Sequence, residues 1–247
     1  MSSAACPSAE YSPAAERTLA EYAALRQRVD AFFSATSSRH PDAMHCRAGC
    51  HGCCQAGLSV SAIEAAAIRD HLQSLSPAEQ RAIFAQVHTR AQALQAAVAA
   101  QVKATEDPPC VLLRDDGRCA IYPVRPLVCR SQGLPLSYAA ELIPPQALRF
   151  VAKDGRAVVC CPLNFCTPGA PADAATETTN TPQAADILDA ERLDLLLAVL
   201  NRRFVEQTGQ DTPHAIRRTA LADLVQLPDD SAPTPTADQR GVAVHTG

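Results

Sequence analysis

Hydrophobic residues recur at helical spacing through most of the N-terminal part of the chain. Over residues 13–35, apolar side chains return every three or four positions with Glu and Arg between them, which predicts an amphipathic helix. Ser61 followed by Glu64 forms a capping-box pattern and predicts the start of a second helix. The pattern resumes over residues 76–103, where Ser76 and Pro77 predict the start of a third.

A second helical region is predicted near the C-terminal end. After Thr181, residues 182–207 carry an apolar stripe that predicts a long helix ending at Gly209. A last helix is predicted over residues 212–227. The predicted apolar face of the long helix consists of Leu193, Leu196, Leu197, Leu200 and Phe204.

The middle of the chain has a different pattern. Nine prolines lie between residues 106 and 169, so long helices are excluded and irregular structure is predicted. Residues 148–151 and 157–159 flank the turn dipeptide Asp154-Gly155 and predict a short β-hairpin.

These patterns predict a mainly α fold, with a single helical domain enclosing an irregular, cysteine-rich middle. The domain is expected to span residues 13–227, with a motif region at 43–166 and C-terminal helices at 182–227. Residues 1–12 are expected to form a flexible N-terminus and residues 228–247 a disordered tail.

Composition excludes several classes of function. The 247 residues carry a net charge of −4, only 10 glycines and 4% aromatic residues. This balance disfavours nucleic acid as a partner and provides little material for phosphate-binding loops or base stacking. Neither a secretory leader nor a membrane-spanning run is found, so we expect no membrane partner and a cytoplasmic location.

Cysteine is the residue type that changes this picture. The chain has eleven cysteines, and in a reducing cytoplasm clustered thiols favour metal binding over disulfides. An odd number also fits disulfides poorly, and the isolated Cys6 is interpreted as a small buried hydrophobic residue or an exposed bystander. The other ten form three groups: Cys46, Cys50, Cys53 and Cys54; Cys110, Cys119 and Cys129; Cys160, Cys161 and Cys166.

The spacing within the first group is typical of metal ligands. Cys50-x-x-Cys53 lets two thiolates on one tight turn reach the same ion, and Cys46 can supply a third. Cys53 and Cys54 are adjacent, so their side chains point in different directions and one ion is not expected to take both. Either the pair serves two neighbouring sites, or one thiol lies beside the metal or is reactive.

Single thiols from the second group are expected to complete the coordination, folding the proline-rich middle over the first loop. A thiolate-rich site is strongly negative, so nearby cations are expected. Arg125 and Arg130 are the candidates for hydrogen bonds to sulfur or for anion binding. His45 and His51 flank the first loop and are interpreted mainly as neighbours of the ligands.

The combined motifs resemble the YkgJ-like cysteine-cluster family, described as zinc- or iron-chelating proteins. The resemblance spans residues 43–166 and implies eight shared cysteines, with Cys160 and Cys166 additional to the pattern. The motifs that carry it are Cys46-x3-Cys50-x2-Cys53-Cys54, Gly117-Arg118-Cys119-Ala120-Ile121-Tyr122, Arg125-Pro126-Leu127-Val128-Cys129-Arg130 and Cys161-Pro162-Leu163-Asn164-Phe165. The implied metal ligands are Cys46, Cys50, Cys53, Cys54, Cys110, Cys119, Cys129 and Cys161.

The predicted function is therefore chelation of zinc or iron, with an iron–sulfur cluster as one form that iron could take. All-sulfur ligation excludes magnesium and calcium, but it leaves open two ions, two clusters or one of each. A flagellin lysine N-methylase group is similar over the same motif and is associated with an iron–sulfur cluster. The alternative is accordingly an iron–sulfur-dependent transferase or redox enzyme whose metal is incompletely ligated.

Overall fold

The fold of the chain is mainly α, as predicted. A computed structural model describes residues 11–100, 108–144, 150–165, 181–209 and 218–225. None of the helices described there is long and apolar enough to cross a membrane. In chain order, the helices within these ranges are α1 (Pro13–Arg39), α2 (Ala62–Ser74), α3 (Pro77–Ala99), α4 (Leu127–Ser131), α5 (Ala190–Gln207) and α6 (Leu221–Leu224).

The first three helices begin where the sequence predicts. Ser12 caps α1 by accepting a hydrogen bond from the Ala15 N–H, which satisfies one of the free donors of the first turn. Ser61 and Glu64 form the expected capping box of α2. The end of the third predicted helix, beyond residue 100, lies outside the described residues.

Helices from both ends of the sequence share one apolar core. Tyr22 of α1 and Phe204 of α5 are each 1% exposed, and Ile63 of α2 is fully buried between them in the same cluster. Burying an aromatic or aliphatic side chain of this size stabilises a fold by about 1.5–3 kcal/mol. This core joins the two chain regions that precede and follow the cysteine-rich middle.

A second apolar cluster lies beneath part of that middle. It combines residues of α2, α3 and α6 with the segment around Leu112 and Ile121, both 1% exposed. Cys110 and Cys119 pack against it. The irregular segment 108–121 is therefore fixed in part by ordinary hydrophobic burial.

The predicted hairpin is confirmed within a small sheet. Strand β3 (Phe150–Val151) pairs antiparallel with β4 (Ala157–Val159) around Gly155, whose φ of 82° suits a turn glycine. Residues 148 and 149 lie outside the described residues. The sheet order is β3-β4-β2-β5, with β2 at Leu136–Tyr138 and β5 at Leu188–Asp189.

The long C-terminal helix begins later than predicted. Residues 182–189 form a 3-10 turn at Ala184–Asp186 and then strand β5, which pairs parallel with β2. Helix α5 starts only at Ala190, where the Asp189 side chain caps it by accepting from the Arg192 N–H. Leu196, predicted on the buried face, is 40% exposed.

The buried carboxylate of Asp186 explains the delayed start of α5. It accepts hydrogen bonds from Arg39 Nε at 2.8 Å and pairs with His40 Nε2 at 2.7 Å. Its burial would raise the pKa, but these partners and the Gln183 N–H more than offset this and lower the pKa of Asp186. Since this turn anchors the end of α1, it excludes a helix over the same residues.

The last predicted helix is also corrected. Thr219–Ala220 form strand β6, which pairs antiparallel with β1 (Ser59–Val60), and only Leu221–Leu224 are helical. Residues 212–217 lie outside the described residues, as do the predicted N-terminal segment up to residue 10 and the predicted tail at 228–247.

Candidate metal centre

Four of the predicted ligands, Cys46, Cys50, Cys53 and Cys54, lie on the loop that follows α1. This loop is built from tight turns, in which the Cys50 N–H donates to the Arg47 carbonyl at 3.0 Å and the Cys54 N–H donates to the His51 carbonyl at 2.8 Å. Gly49 has a φ of 86°, a backbone conformation that favours glycine. Cys50 and Cys53 are exposed, whereas Cys46 is half-buried.

The segment 108–119 is bonded to this loop through the main chain. The Cys110 N–H donates to the Cys54 carbonyl at 2.9 Å, and the Ala56 N–H donates to the Pro108 carbonyl at 2.7 Å. A short antiparallel bridge joins Leu113 to Cys119. These bonds place the thiols of Cys110 and Cys119 near Cys54.

Helix α4 contributes Cys129, and a buried carboxylate fixes the start of this helix. Glu64 is 1% exposed and accepts from the Leu127 N–H at 3.1 Å as well as from Ser61. Burial raises the pKa of Cys129 to about 12, and the nearby thiols Cys119, Cys110 and Cys53 contribute to the shift.

Asn164 connects the first loop to the segment that carries Cys161. Its buried amide nitrogen donates to Cys46 Sγ at 3.2 Å and to the Gly133 carbonyl at 2.7 Å, while its oxygen accepts from the His45 N–H at 2.9 Å. Burial raises the pKa of Cys46, and the bond from Asn164 opposes this effect. Asn164 is therefore the main polar anchor of Cys46.

Gly133 makes room for the same thiol. Its φ is 98°, and a Cβ atom built there would lie 2.6 Å from Cys46 Sγ, far inside normal contact distance. Sequence reasoning missed both Gly133 and Asn164. The only sequence signal for Asn164 was its place in the motif that begins at Cys161. No sequence signal pointed to Gly133.

The eight cysteines predicted as ligands lie near one another. Cys161, Cys50 and Cys53 lie close enough to Cys46 to affect its pKa, and Cys119, Cys110 and Cys129 lie close enough to Cys54 to affect its pKa. The predicted approach of the second group to the first loop is therefore found in the structure. The contributing segments are 46–54, 110–119, α4 and the stretch that holds Cys161.

Cys53 and Cys54 are in direct contact. The Cys53 thiol donates a hydrogen bond to the sulfur of Cys54, which raises the pKa of Cys53 and lowers that of Cys54. Negative charge is thus most easily held on Cys54, the member of the pair that lies nearer the buried thiols.

Arg125 supplies positive charge beside the thiols. Its guanidinium lowers the pKa of Cys53, Cys119 and Cys129, opposing their burial. It lies 4.3 Å from the ring centroid of Tyr122. The Arg125 Nε is buried and has no hydrogen-bond partner among the described residues. Buried donors in folded proteins are normally paired, so the Arg125 Nε is available to donate to a bound group.

Arg130 has a different environment. It is 4% exposed and donates to the carbonyls of Arg125, at 2.9 Å, and Pro123, at 2.5 Å. It also forms an ion pair with Asp30 of α1. Its described contacts fix the backbone that presents Arg125 and connect that backbone to the helical core.

The remaining candidates lie at the margin. His51 Nδ1 is 2.9 Å from the Gly49 carbonyl, and His45 is exposed. Cys160 donates from its thiol to the Asn164 carbonyl, with 3.5 Å between sulfur and oxygen. Cys166 lies outside the described residues.

The candidate donors are all sulfur atoms, but they are not yet arranged around one ion. Among the described residues, no three His, Cys, Asp or Glu side chains are already arranged to hold an ion. A tetrahedral zinc–thiolate site has Zn–S distances of about 2.3 Å, so binding must draw the thiols inwards. The exposed Cys50 and Cys53 are on turns that allow this movement, and the sulfur-only set with an adjacent arginine fits zinc or iron.

Comparison with known proteins supports this chemistry. Residues 45–143 match the CxxCxxCC family model, described as "Putative zinc- or iron-chelating domain". The predicted resemblance to a zinc- or iron-chelating cysteine-cluster domain is thereby confirmed over these residues. Seven of the eight cysteines predicted as ligands fall within the matched range, and Cys161 lies beyond it. No curated protein and no solved structure gives a significant match.

Proposed function

We propose that this protein binds zinc or iron through the thiolates of its clustered cysteines. The observation that supports this most directly is the convergence of thiols from four separate segments on one region beside Arg125. The proposed ligands are Cys46, Cys50, Cys53, Cys54, Cys110, Cys119, Cys129 and Cys161. Arg125 is proposed to donate a hydrogen bond from Nε to a ligand sulfur.

A bound metal would also explain how the middle of the chain is held. Segments 40–58 and 108–135 contain few helical or sheet hydrogen bonds, so ordering them costs conformational entropy that local structure offsets only in part. Thiolate ligation across several segments would supply the missing free energy. The metal would then be structural or handled as cargo.

We further propose a cytoplasmic location. The nine described cysteines are free thiols, and a site that uses them as ligands needs a compartment that keeps cysteine reduced.

Metal analysis tests the proposal. Protein purified anaerobically should contain stoichiometric zinc, or iron, and Ser substitution of Cys46, Cys50 or Cys53 should lower metal content and thermal stability together. Cys160→Ser is the matched control and should retain the metal. Fully folded protein that holds no metal and takes up neither zinc nor ferrous iron would overturn the proposal.

The second candidate function is an iron–sulfur-dependent enzyme, of transferase or redox type. The exposure of Cys50 and Cys53 favours it, because a centre built on that side would be accessible to a substrate. Here the protein should contain iron and acid-labile sulfide and be coloured, and reduction should give a paramagnetic signal. Colourless protein with zinc alone would exclude this alternative.

A further inference from the structure

The eight thiols are not distributed evenly. The thiols of Cys161, Cys50 and Cys53 lie close enough to Cys46 to affect its pKa. The thiols of Cys119, Cys110 and Cys129 lie close enough to Cys54 to affect its pKa. We call Cys46, Cys50, Cys53 and Cys161 the outer thiol group, and Cys54, Cys110, Cys119 and Cys129 the inner thiol group.

The backbone supports the same division independently. Cys54 is bonded through its carbonyl to the Cys110 N–H, and Cys110 and Cys119 pack on the same apolar cluster. Cys46 is instead fixed by the Asn164 amide, and the Asn164 N–H donates to the Cys161 carbonyl at 2.9 Å. Each group is therefore held by its own hydrogen bonds and packing contacts.

One peptide unit joins the two groups. Cys53 belongs to the outer group and Cys54 to the inner one, so the boundary between the groups lies within this adjacent pair. The groups also touch, since the two thiols share a hydrogen bond and Cys53 contributes to the field at Cys129.

We propose that the protein has two adjacent four-thiolate sites, an outer one formed by Cys46, Cys50, Cys53 and Cys161 and an inner one formed by Cys54, Cys110, Cys119 and Cys129. This deepens the proposed function and depends on it. Each site has the donor number and type that a tetrahedral zinc ion or a four-cysteine iron–sulfur cluster requires. Arg125 lies beside the junction of the two sites, near Cys53, Cys119 and Cys129.

The number of zinc ions bound by the reduced, full-length chain tests the division. Native mass spectrometry after zinc loading should show two ions per chain. Cys46→Ser with Cys161→Ser should remove one ion, and Cys110→Ser with Cys119→Ser should remove the other. The cross-group pair Cys46→Ser with Cys110→Ser should weaken both, and Cys160→Ser should leave both in place.

A measurement on the unsubstituted chain protects against variants that fail to fold. Loading with cadmium-113 should give two NMR resonances, both typical of four-sulfur coordination. A single bound ion in the unsubstituted chain would overturn the two-site arrangement but not metal binding. The same holds if either within-group double variant loses all its zinc while it keeps its helical circular dichroism. Absence of zinc, cadmium and ferrous iron binding would overturn the proposed function itself.

Discussion

The inner and outer thiol groups differ in what positions them. Main-chain hydrogen bonds and a large apolar cluster fix the inner group, so its geometry depends on packing that many residues share. The outer group depends on one buried amide and one glycine, and two of its four thiols are exposed. Similar chemistry is thus supported in one case by the core and in the other by a few individual contacts.

The difference predicts two kinds of sensitivity. Substitutions in the apolar cluster should lower overall stability and the zinc affinity of the inner group together. Substitutions at the polar anchors should reduce the zinc affinity of the outer group at a smaller cost to the fold.

The largest effect is expected from Leu112→Ala. Leu112 is 1% exposed and lies between Cys110 and Cys119, so the cavity should lower the free energy of unfolding by about 3 kcal/mol. Chemical denaturation measures this cost, and zinc competition should show weaker binding of one ion only. The exposed Leu142→Ala is the control. Equal weakening of both ions would contradict the comparison.

Asn164→Ala should come next. The substitution leaves the Gly133 carbonyl and the His45 N–H without their partner, which should cost about 2 kcal/mol of unfolding free energy. Zinc should be lost from the outer group, as the disappearance of one cadmium resonance would show. Gln132→Ala, at an exposed position, serves as the control. Retention of both resonances would mean that Asn164 does not position Cys46.

Gly133→Ala separates backbone strain from contact with the thiol. A positive φ makes alanine unfavourable by about 1–2 kcal/mol, and the added Cβ would also displace Cys46 Sγ. Gly155→Ala is a matched control, since its φ is 82° and nothing lies within 4 Å of the added atom. Both variants should lose the stability that the positive φ costs, measured by thermal denaturation; Gly133→Ala should lose more, because of the close contact, and only this variant should weaken zinc binding. Equal zinc affinities of the two variants would contradict a role for the contact between residue 133 and Cys46.

Arg125→Met should have the smallest effect on stability. Its ion pair with Asp30 is long, at 3.7 Å, so the unfolding free energy should fall by less than about 1 kcal/mol. Loss of the positive charge and of the Nε donor should reduce zinc affinity roughly tenfold, measured by competition with a chromophoric chelator. Arg125→Lys should recover only the part of the zinc affinity that depends on the positive charge. The exposed Arg28→Met should change neither property.

Much of the helical framework could be predicted because its signals are local. The capping box of Ser61 and Glu64 and the turn at Gly155 each depend on residues a few positions apart, and both are found in the structure. The start of α5 could not be predicted in the same way. Residues 182–189 look helical in isolation, but the burial of Asp186 against Arg39 depends on a partner 147 positions away.

The same distinction between local and long-range signals applies to the candidate site. The types of ligand, their clustering and the nearby Arg125 follow from spacing and charge. The roles of Asn164 and Gly133 do not, because they arise from contacts made only after distant segments meet. The adjacency of Cys53 and Cys54 left open two neighbouring sites or one thiol that lies beside the metal or is reactive. Assigning each cysteine to a group required the three-dimensional neighbours.

The bond between Asn164 and Cys46 has a consequence for the order of events during synthesis. The two residues are 118 positions apart, whereas the inner group is complete once Cys129 has emerged. Closing a longer loop costs more entropy and must wait for more of the chain. On the ribosome, the inner thiols can therefore meet before the outer ones, whose group is complete only after Cys161 and Asn164 have emerged.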